Sequence, residues 1–234
     1  MNSITLISAY FENPLMLAKH RETWSAYSQG IKEWLEIILV DDCSIQHPLS
    51  KQDLSGVSNL KAFRLLKKVR WNQHACRNLG ASQALNPWLL MVDMDTLVPA
   101  ETMRGLIAGM LDQTKVYQFH RVSAPDFVPD KSHCNCFLIS KILFDALGGY
   151  DERLAGCYNT DWDFLSRMKA AFETVLLDEK LVGYGTDVIP DASTTCYERS
   201  SVEDSRDVCF VKSERALNPF WRPKRGIFPS ERII

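Results

Sequence analysis

Runs of apolar residues, each stopped by polar ones, set out the chain. Ile4-Thr5-Leu6-Ile7-Ser8-Ala9 is rich in β-formers and reads as a first strand. Asn13-Pro14 then offers an N-cap with proline at the first helical position. Leu17, Trp24, Tyr27 and Ile31 follow at roughly helical spacing. Ile37-Ile38-Leu39-Val40 is continuously apolar, as a strand covered on both faces requires. A βαβ unit is thus complete, and right-handed crossover makes its strands parallel. After a polar loop over 45–60, Ala62 to Leu66 gives a short third strand. A helix is expected over His74 to Leu85, ended by Asn86-Pro87. Trp88-Leu89-Leu90-Met91-Val92 is again unbroken and stops on Asp93-Met94-Asp95.

The second half is less regular. Met103, Leu106, Ile107, Met110 and Leu111 form a helical stripe, and Val116 to His120 alternates as a strand does. Residues 121–133, with Pro125 and Pro129, read as a loop. Cys136 to Ser140 is a strand candidate, followed by a helix over Lys141 to Leu147 and a Gly148-Gly149 turn. Thr160 stands as an N-cap with Asp163 three residues on, and Phe164, Leu165, Met168 and Phe172 give that helix its buried face. Thr174 to Leu177 and Leu181-Val182 are two short strands. Beyond about Tyr184 the pattern fades. The alternation of strand and helix predicts a mostly parallel sheet with helices on both faces.

Bulk properties narrow the partners. A formal net charge of −2 over 234 residues gives no basic field for nucleic acid or an anionic membrane. No apolar run approaches the length of a membrane span, and the first residues enter a strand without a basic-then-apolar leader. Seven scattered cysteines without Cys-x-x-Cys suit reduced thiols. A cytoplasmic protein is expected, with recruitment to a membrane surface left open.

The acids carry the candidate chemistry. Along an extended chain, Asp93 and Asp95 point the same way, and two hard carboxylates facing one spot suit Mg²⁺ or Mn²⁺. Asp41-Asp42 closes the second strand, and Asp161 and Asp163 open a helix. Strand-end acids lie where open α/β sheets place ligands. Taken singly, each pair is also an ordinary turn or helix-start feature. His133-Cys134-Asn135-Cys136 invites a zinc reading, but it lacks a second ligand pair and Cys136 opens an apolar run, so a structural role is expected.

Five stretches in order resemble glycosyltransferase family 2 on the GT-A fold. They are Ser8-Ala9-Tyr10, Val40-Asp41-Asp42-Cys43-Ser44, Cys76-Arg77-Asn78-Leu79-Gly80, Val92-Asp93-Met94-Asp95, and Leu147-Gly148-Gly149-Tyr150-Asp151-Glu152 followed by Asp161-Trp162-Asp163-Phe164-Leu165-Ser166-Arg167. The resemblance covers roughly residues 3–170. It implies a GT-A α/β fold with a mixed, mainly parallel sheet. A catalytic domain is expected over 1–184, with a nucleotide-sugar half at about 1–99 and an acceptor half at about 100–184. A C-terminal extension over 185–234 is expected on or near the active site.

The resemblance also implies roles. Ser8 and Tyr10 match positions lining the nucleobase pocket, and Asp42 matches an acid accepting a base N–H, which suits uracil. Arg77 matches an arginine near the diphosphate or sugar. Asp95 matches a metal ligand, with Asp93 contacting ribose, the metal or both. Asp161 matches the general base, while Asp163 reads as a capping residue. Trp162 is a candidate sugar or acceptor contact. The implied donor is a nucleotide-sugar, most simply a UDP-sugar, and the implied cofactor is Mn²⁺ or Mg²⁺. The acceptor class stays open among saccharide, lipid-linked saccharide and other hydroxyl carriers.

The sequence departs from the family in three places. Phe11 stands where Asn is usual, and Thr160 where an acid commonly precedes the base. After His133 there is no later histidine to ligate metal, which leaves water, diphosphate or a late acid such as Asp187 or Asp191. Two rivals compete. A sugar nucleotidyltransferase would use a glycine-rich phosphate loop, and Ser8 to Asn13 contains no glycine. A silent nucleotide-sugar-binding protein would not need all three acid clusters.

Overall fold

The structure, a computed structural model, describes residues 1–157, 160–194, 201–218 and 220–234, and for 201–208 the backbone alone. Its first half follows the apolar runs. Strand β1 spans Ile4–Tyr10, and helices α1 (Pro14–Ser25) and α2 (Gln29–Lys32) lead to β2 (Leu35–Asp41). Then come β3 (Leu60–Leu65), α3 (Gln73–Gln83) and β4 (Trp88–Met91). After a turn follow β5 (Thr96–Leu97), α4 (Ala100–Ala108), β6 (Val116–Ser123), β7 (Val128–Asp130) and β8 (Phe137–Ser140). The rest is α5 (Lys141–Ala146), α6 (Asp161–Ala171), β9 (Thr174–Gly183), α7 (Ser201–Leu217) and β10 (Ser230–Arg232).

One mixed sheet runs β10-β3-β2-β1-β4-β8-β6-β9-β5, with β7 pairing β6. Strands β3, β2, β1 and β4 are parallel. β8 joins β4 antiparallel and starts the mixed half. Both faces are covered. Ile4, Leu6, Leu39 and Leu90 pack toward Leu17, Trp24 and Met103 on one face. Ile7, Ile38, Val40 and Leu89 pack toward Cys76, Phe144 and Phe164 on the other. Each such side chain contributes about 1.5–3 kcal/mol when fully buried. Gly80 lets α3 sit directly on β1, since a Cβ there would fall 2.5 Å from Ile7 Cγ2.

Three expectations change. Residues 121–133 are not all loop, because β6 continues to Ser123 and turns back as β7. The two short strands after Phe172 are one, β9, whose register against β6 shifts between Phe119 and His120. The irregular region after 185 contains α7 and β10. Among the described residues, no helix is long and apolar enough to cross a membrane.

The connectivity fixes where a ligand can bind. From β1 the chain moves outward through β2 and β3, then returns to the opposite side of β1 as β4. A crevice opens beyond the strand ends at such a switch point. Register sets Tyr10 beside Asp41 and Ile7 beside Met91, so the turns after β1, β2 and β4 share that edge.

Candidate active site

These turns form one side of a cavity of about 410 Å³. Asp41 and Asp42, adjacent in sequence, behave differently. Asp41 accepts from the Ser44 N–H (2.8 Å) and the Leu49 N–H (2.9 Å), which ties down the turn after β2. Asp42 lines the cavity and accepts one bond, from the Asn72 N–H at 2.8 Å. Its Oδ1 is buried without a partner among the described residues. Burial, only partly offset by that bond and increased by Asp41, pushes Asp42 up to about 6. Tyr10 lines the cavity and donates its hydroxyl to the His47 carbonyl at 2.6 Å. Phe11 lies beside it, with the Lys68 ammonium 5.1 Å from its ring centre. Ser8 does not reach the wall; it is buried within β1.

The Asp93–Asp95 turn also lines the cavity, though not for the reason strand alternation gives. β4 ends at Met91, so both acids sit in a turn. From behind, His20 of α1 donates Nε2–H to the Met94 carbonyl at 2.8 Å. Asp93 accepts from Gln73 Nε2 and Arg77 Nη2 (2.5 Å), and His133 Nδ1 lies 3.1 Å from its Oδ2 as an ion pair. Burial alone would raise it, but Arg77 and His133 pull it down to about 2. The same contact holds His133 protonated up to about 11. Asp95 has Thr96 Oγ1 at 2.9 Å and Arg121 Nη2 only at 3.5 Å. Burial and the neighbouring Asp93 raise it.

Arg77 requires a correction. Its guanidinium is 1% exposed and is not at the cavity wall, so it cannot meet a phosphate there. It donates to Asp93, to the Tyr150 hydroxyl (2.8 Å) and to the Asn135 carbonyl (3.2 Å). Its charge is spent on holding the acid turn.

On the opposite side, Asp161 opens α6 and is 8% exposed. Its Oδ2 accepts from Asn135 Nδ2 at 2.9 Å, and its Oδ1 has no partner among the described residues. The expected capping box is not made. Thr160 has no capping side-chain bond, and Asp163 is instead paired with Arg167 (3.0 Å) and Arg215. Trp162 is not among the lining residues; Lys212 of α7 lies 4.4 Å from its ring centre. Ala192, Ser193 and Thr194 close the cavity on the C-terminal side. Asp191 is not free to ligate, since its carboxylate caps α1 through the Leu15 and Met16 N–H groups at 2.7 and 2.9 Å. Asp187 is exposed outside the wall.

Asp42, Asp93, Asp95 and Asp161 therefore share one cavity, while Ser8, Arg77 and Trp162 do not line it. Gln73, Arg121, His133 and Asn135 were not expected at the site. Only His133-Cys134-Asn135-Cys136 gave a signal, and its missing partner comes from a distant turn. Donor atoms of Asp93, His133 and Cys136 lie within 4.8 Å of one another.

A divalent cation fits the residues present. Asp95 offers hard oxygens in the cavity whose charge Arg121 compensates only at a distance, and Asp93 lines the same cavity from the same turn.

Residues 106–184 match the family model described as "Glycosyltransferase like family 2". That segment holds the Gly-Gly-Tyr-Asp-Glu turn and Asp161. The fold agrees with GT-A structures. The fold is that of GT-A glycosyltransferase structures, and residues 106–184 are similar to family 2. S. aureus TarS 1-349 in complex with UDP-GlcNAc aligns with a TM-score of 0.63 at 15% identity, over 78% of this chain and 58% of that one. GalNAc-T7 with UDP, GalNAc and Mn²⁺ aligns at 0.63 and 14% identity, over 79% and 44%. The Pyrobaculum calidifontis mannosyltransferase PcManGT with GDP-Man and Mn²⁺ aligns at 0.58 and 13% identity, over 77% and 56%. At these identities the likeness is one of fold. The chain spans about half the length of these structures. No curated protein matches it in sequence.

Proposed function

We propose that this family 2-like chain transfers a sugar from a nucleoside-diphosphate donor, UDP-linked, to an acceptor hydroxyl, with inversion in a single displacement. The observation that carries the reading is the bare Oδ1 of Asp161, in the cavity that also holds Asp42, Asp93 and Asp95. The base N–H of uracil suits the bare Oδ1 of Asp42, because an ionised carboxylate only accepts. UDP or UDP-GlcNAc in two of the similar structures supports that choice. Residues of about 1–99 form the donor half and those of about 100–184 the acceptor half, with 185–234 an extension that adds one wall.

In the reaction Asp161 takes the acceptor hydroxyl proton as that oxygen bonds to the anomeric carbon. The bond to the diphosphate oxygen breaks in the same step, and no bond to the protein forms. Asp95, with Asp93 beside it, is the holder of Mn²⁺ or Mg²⁺. The chemistry such an ion supplies when bound is neutralisation of the departing diphosphate. The protein holds the Asp93–Asp95 turn in place through Arg77 and the His20 bond to Met94. The reduced state of the described cysteines suits a cytoplasmic setting.

The test is incubation with Mn²⁺ and UDP-GlcNAc, following UDP release. Slow release in the wild type that Asp161→Asn abolishes, with the fold intact, supports the reading. Release unchanged in Asp161→Asn overturns the base assignment, and binding without any turnover favours a silent nucleotide-sugar-binding protein.

A further inference from the structure

Asn135 stands between the two sides of the cavity. It is 6% exposed, in the loop that leads into β8, and it lines the cavity. Its amide Nδ2 donates to Asp161 Oδ2 at 2.9 Å. An ionised carboxylate accepts and never donates, so the amide nitrogen, not its oxygen, must face Asp161. The main-chain carbonyl of Asn135 is held separately, by Arg77 Nη2 at 3.2 Å, and Arg77 also grips Asp93.

We infer that Asn135 is a positioning residue for the base Asp161, its own main chain held by the Arg77 that grips the donor-side acid Asp93. Its neutral amide fixes one oxygen of Asp161 and leaves the other bare for the acceptor proton. An arginine or lysine at this place would pair with Asp161 as Arg215 pairs with Asp163, and would suppress its basicity. The amide orients without neutralising. Because Arg77 holds the Asn135 main chain rather than its side chain, truncating the side chain leaves the loop anchored.

The inference rests on the proposed base role of Asp161, and the experiment separates the two. UDP release from UDP-GlcNAc with Mn²⁺ and UDP affinity are measured for wild type, Asn135→Ala, Asn135→Ser and Asp161→Asn. The expected result is a kcat lowered about tenfold or more in both Asn135 variants, the cost of a misplaced catalytic group. UDP affinity should stay within about threefold of wild type, so that kcat and binding split. The serine variant keeps a polar group too short to reach Asp161, and it carries the test if the alanine variant folds poorly. Wild-type kcat in the Asn135 variants with loss in Asp161→Asn overturns the inference alone. Equal loss of kcat and UDP affinity also overturns it, as the mark of a general structural role. Wild-type kcat in Asp161→Asn overturns the base reading, and the inference with it.

Discussion

Two clusters of charge lie on opposite sides of the first turn of α6, and they are built differently. On the outer side, Asp151 is paired with Arg153, and Asp163 with Arg167 and Arg215. Arg153 also reaches Glu214, and Arg215 stacks on Trp221 at 4.6 Å. Acid is matched to guanidinium throughout, and the result fastens α7 to α6. On the cavity side, Asp42 and Asp161 each keep one buried oxygen without a partner among the described residues, and Asp95 has a cation only at 3.5 Å. A buried acceptor left unmet costs about 1–3 kcal/mol. The inner cluster bears that cost on its carboxylates; in the outer one the unmet groups are donors, Arg215 Nε and Trp221 Nε1. Charge density alone does not mark a site here; unmet carboxylate oxygens do.

The sharpest way to break this contrast is at Asp161. Asp161→Asn should lower the rate of UDP release by about 10²–10⁴-fold, the range for a general base, with the melting temperature little changed. Next comes Asp95→Asn, expected to cost about a hundredfold and to flatten the dependence of turnover on added Mn²⁺. Titrating the metal in the two proteins checks it.

Asp42 should show a smaller and two-sided effect. In Asp42→Asn the oxygen keeps the Asn72 N–H, so the amide NH₂ faces the nucleobase N–H, donor against donor. UDP affinity should fall about tenfold by calorimetry. Stability should move the other way. A carboxyl raised from 3.8 to about 6 opposes folding above the raised value, and the penalty fades as pH falls toward the lower one. Asp42→Asn should therefore raise stability at pH 7 by about 1–2 kcal/mol and make no gain near pH 4. For the wild type, UDP binding should weaken as pH drops through about 6. The smallest effect is expected outside the cavity. Arg215→Ala should cost about 1 kcal/mol of stability, since Arg167 still holds Asp163, and leave turnover within about twofold.

The parallel half was legible because its strands are buried on both faces and read as unbroken apolar runs, as in β1, β2 and β4. The mixed half was not. β9 reads as two strands because its charged middle, Asp178-Glu179-Lys180, interrupts the apolar pattern. β7 and β10 are three residues each and fully exposed, so no hydrophobic signal could mark them. At the site, the acids were legible by their motifs, but their partners were not. Arg77 reads as a phosphate ligand until its burial beneath Asp93 is seen. His133 and Asn135 come from a stretch that sequence spacing treats as isolated.

Strand β10 pairs Ser230, Glu231 and Arg232 with Leu65, Arg64 and Phe63 of β3. During synthesis, the parallel half is complete once β4 emerges, yet the outer rim of β3 stays unpaired until β10 follows. At about 5–20 residues per second, that interval lasts on the order of ten seconds. For that time the nascent chain presents an open strand edge, the feature that invites pairing with other chains. Aggregation during expression should therefore be decided on the ribosome, and slowing translation before β10 should worsen it.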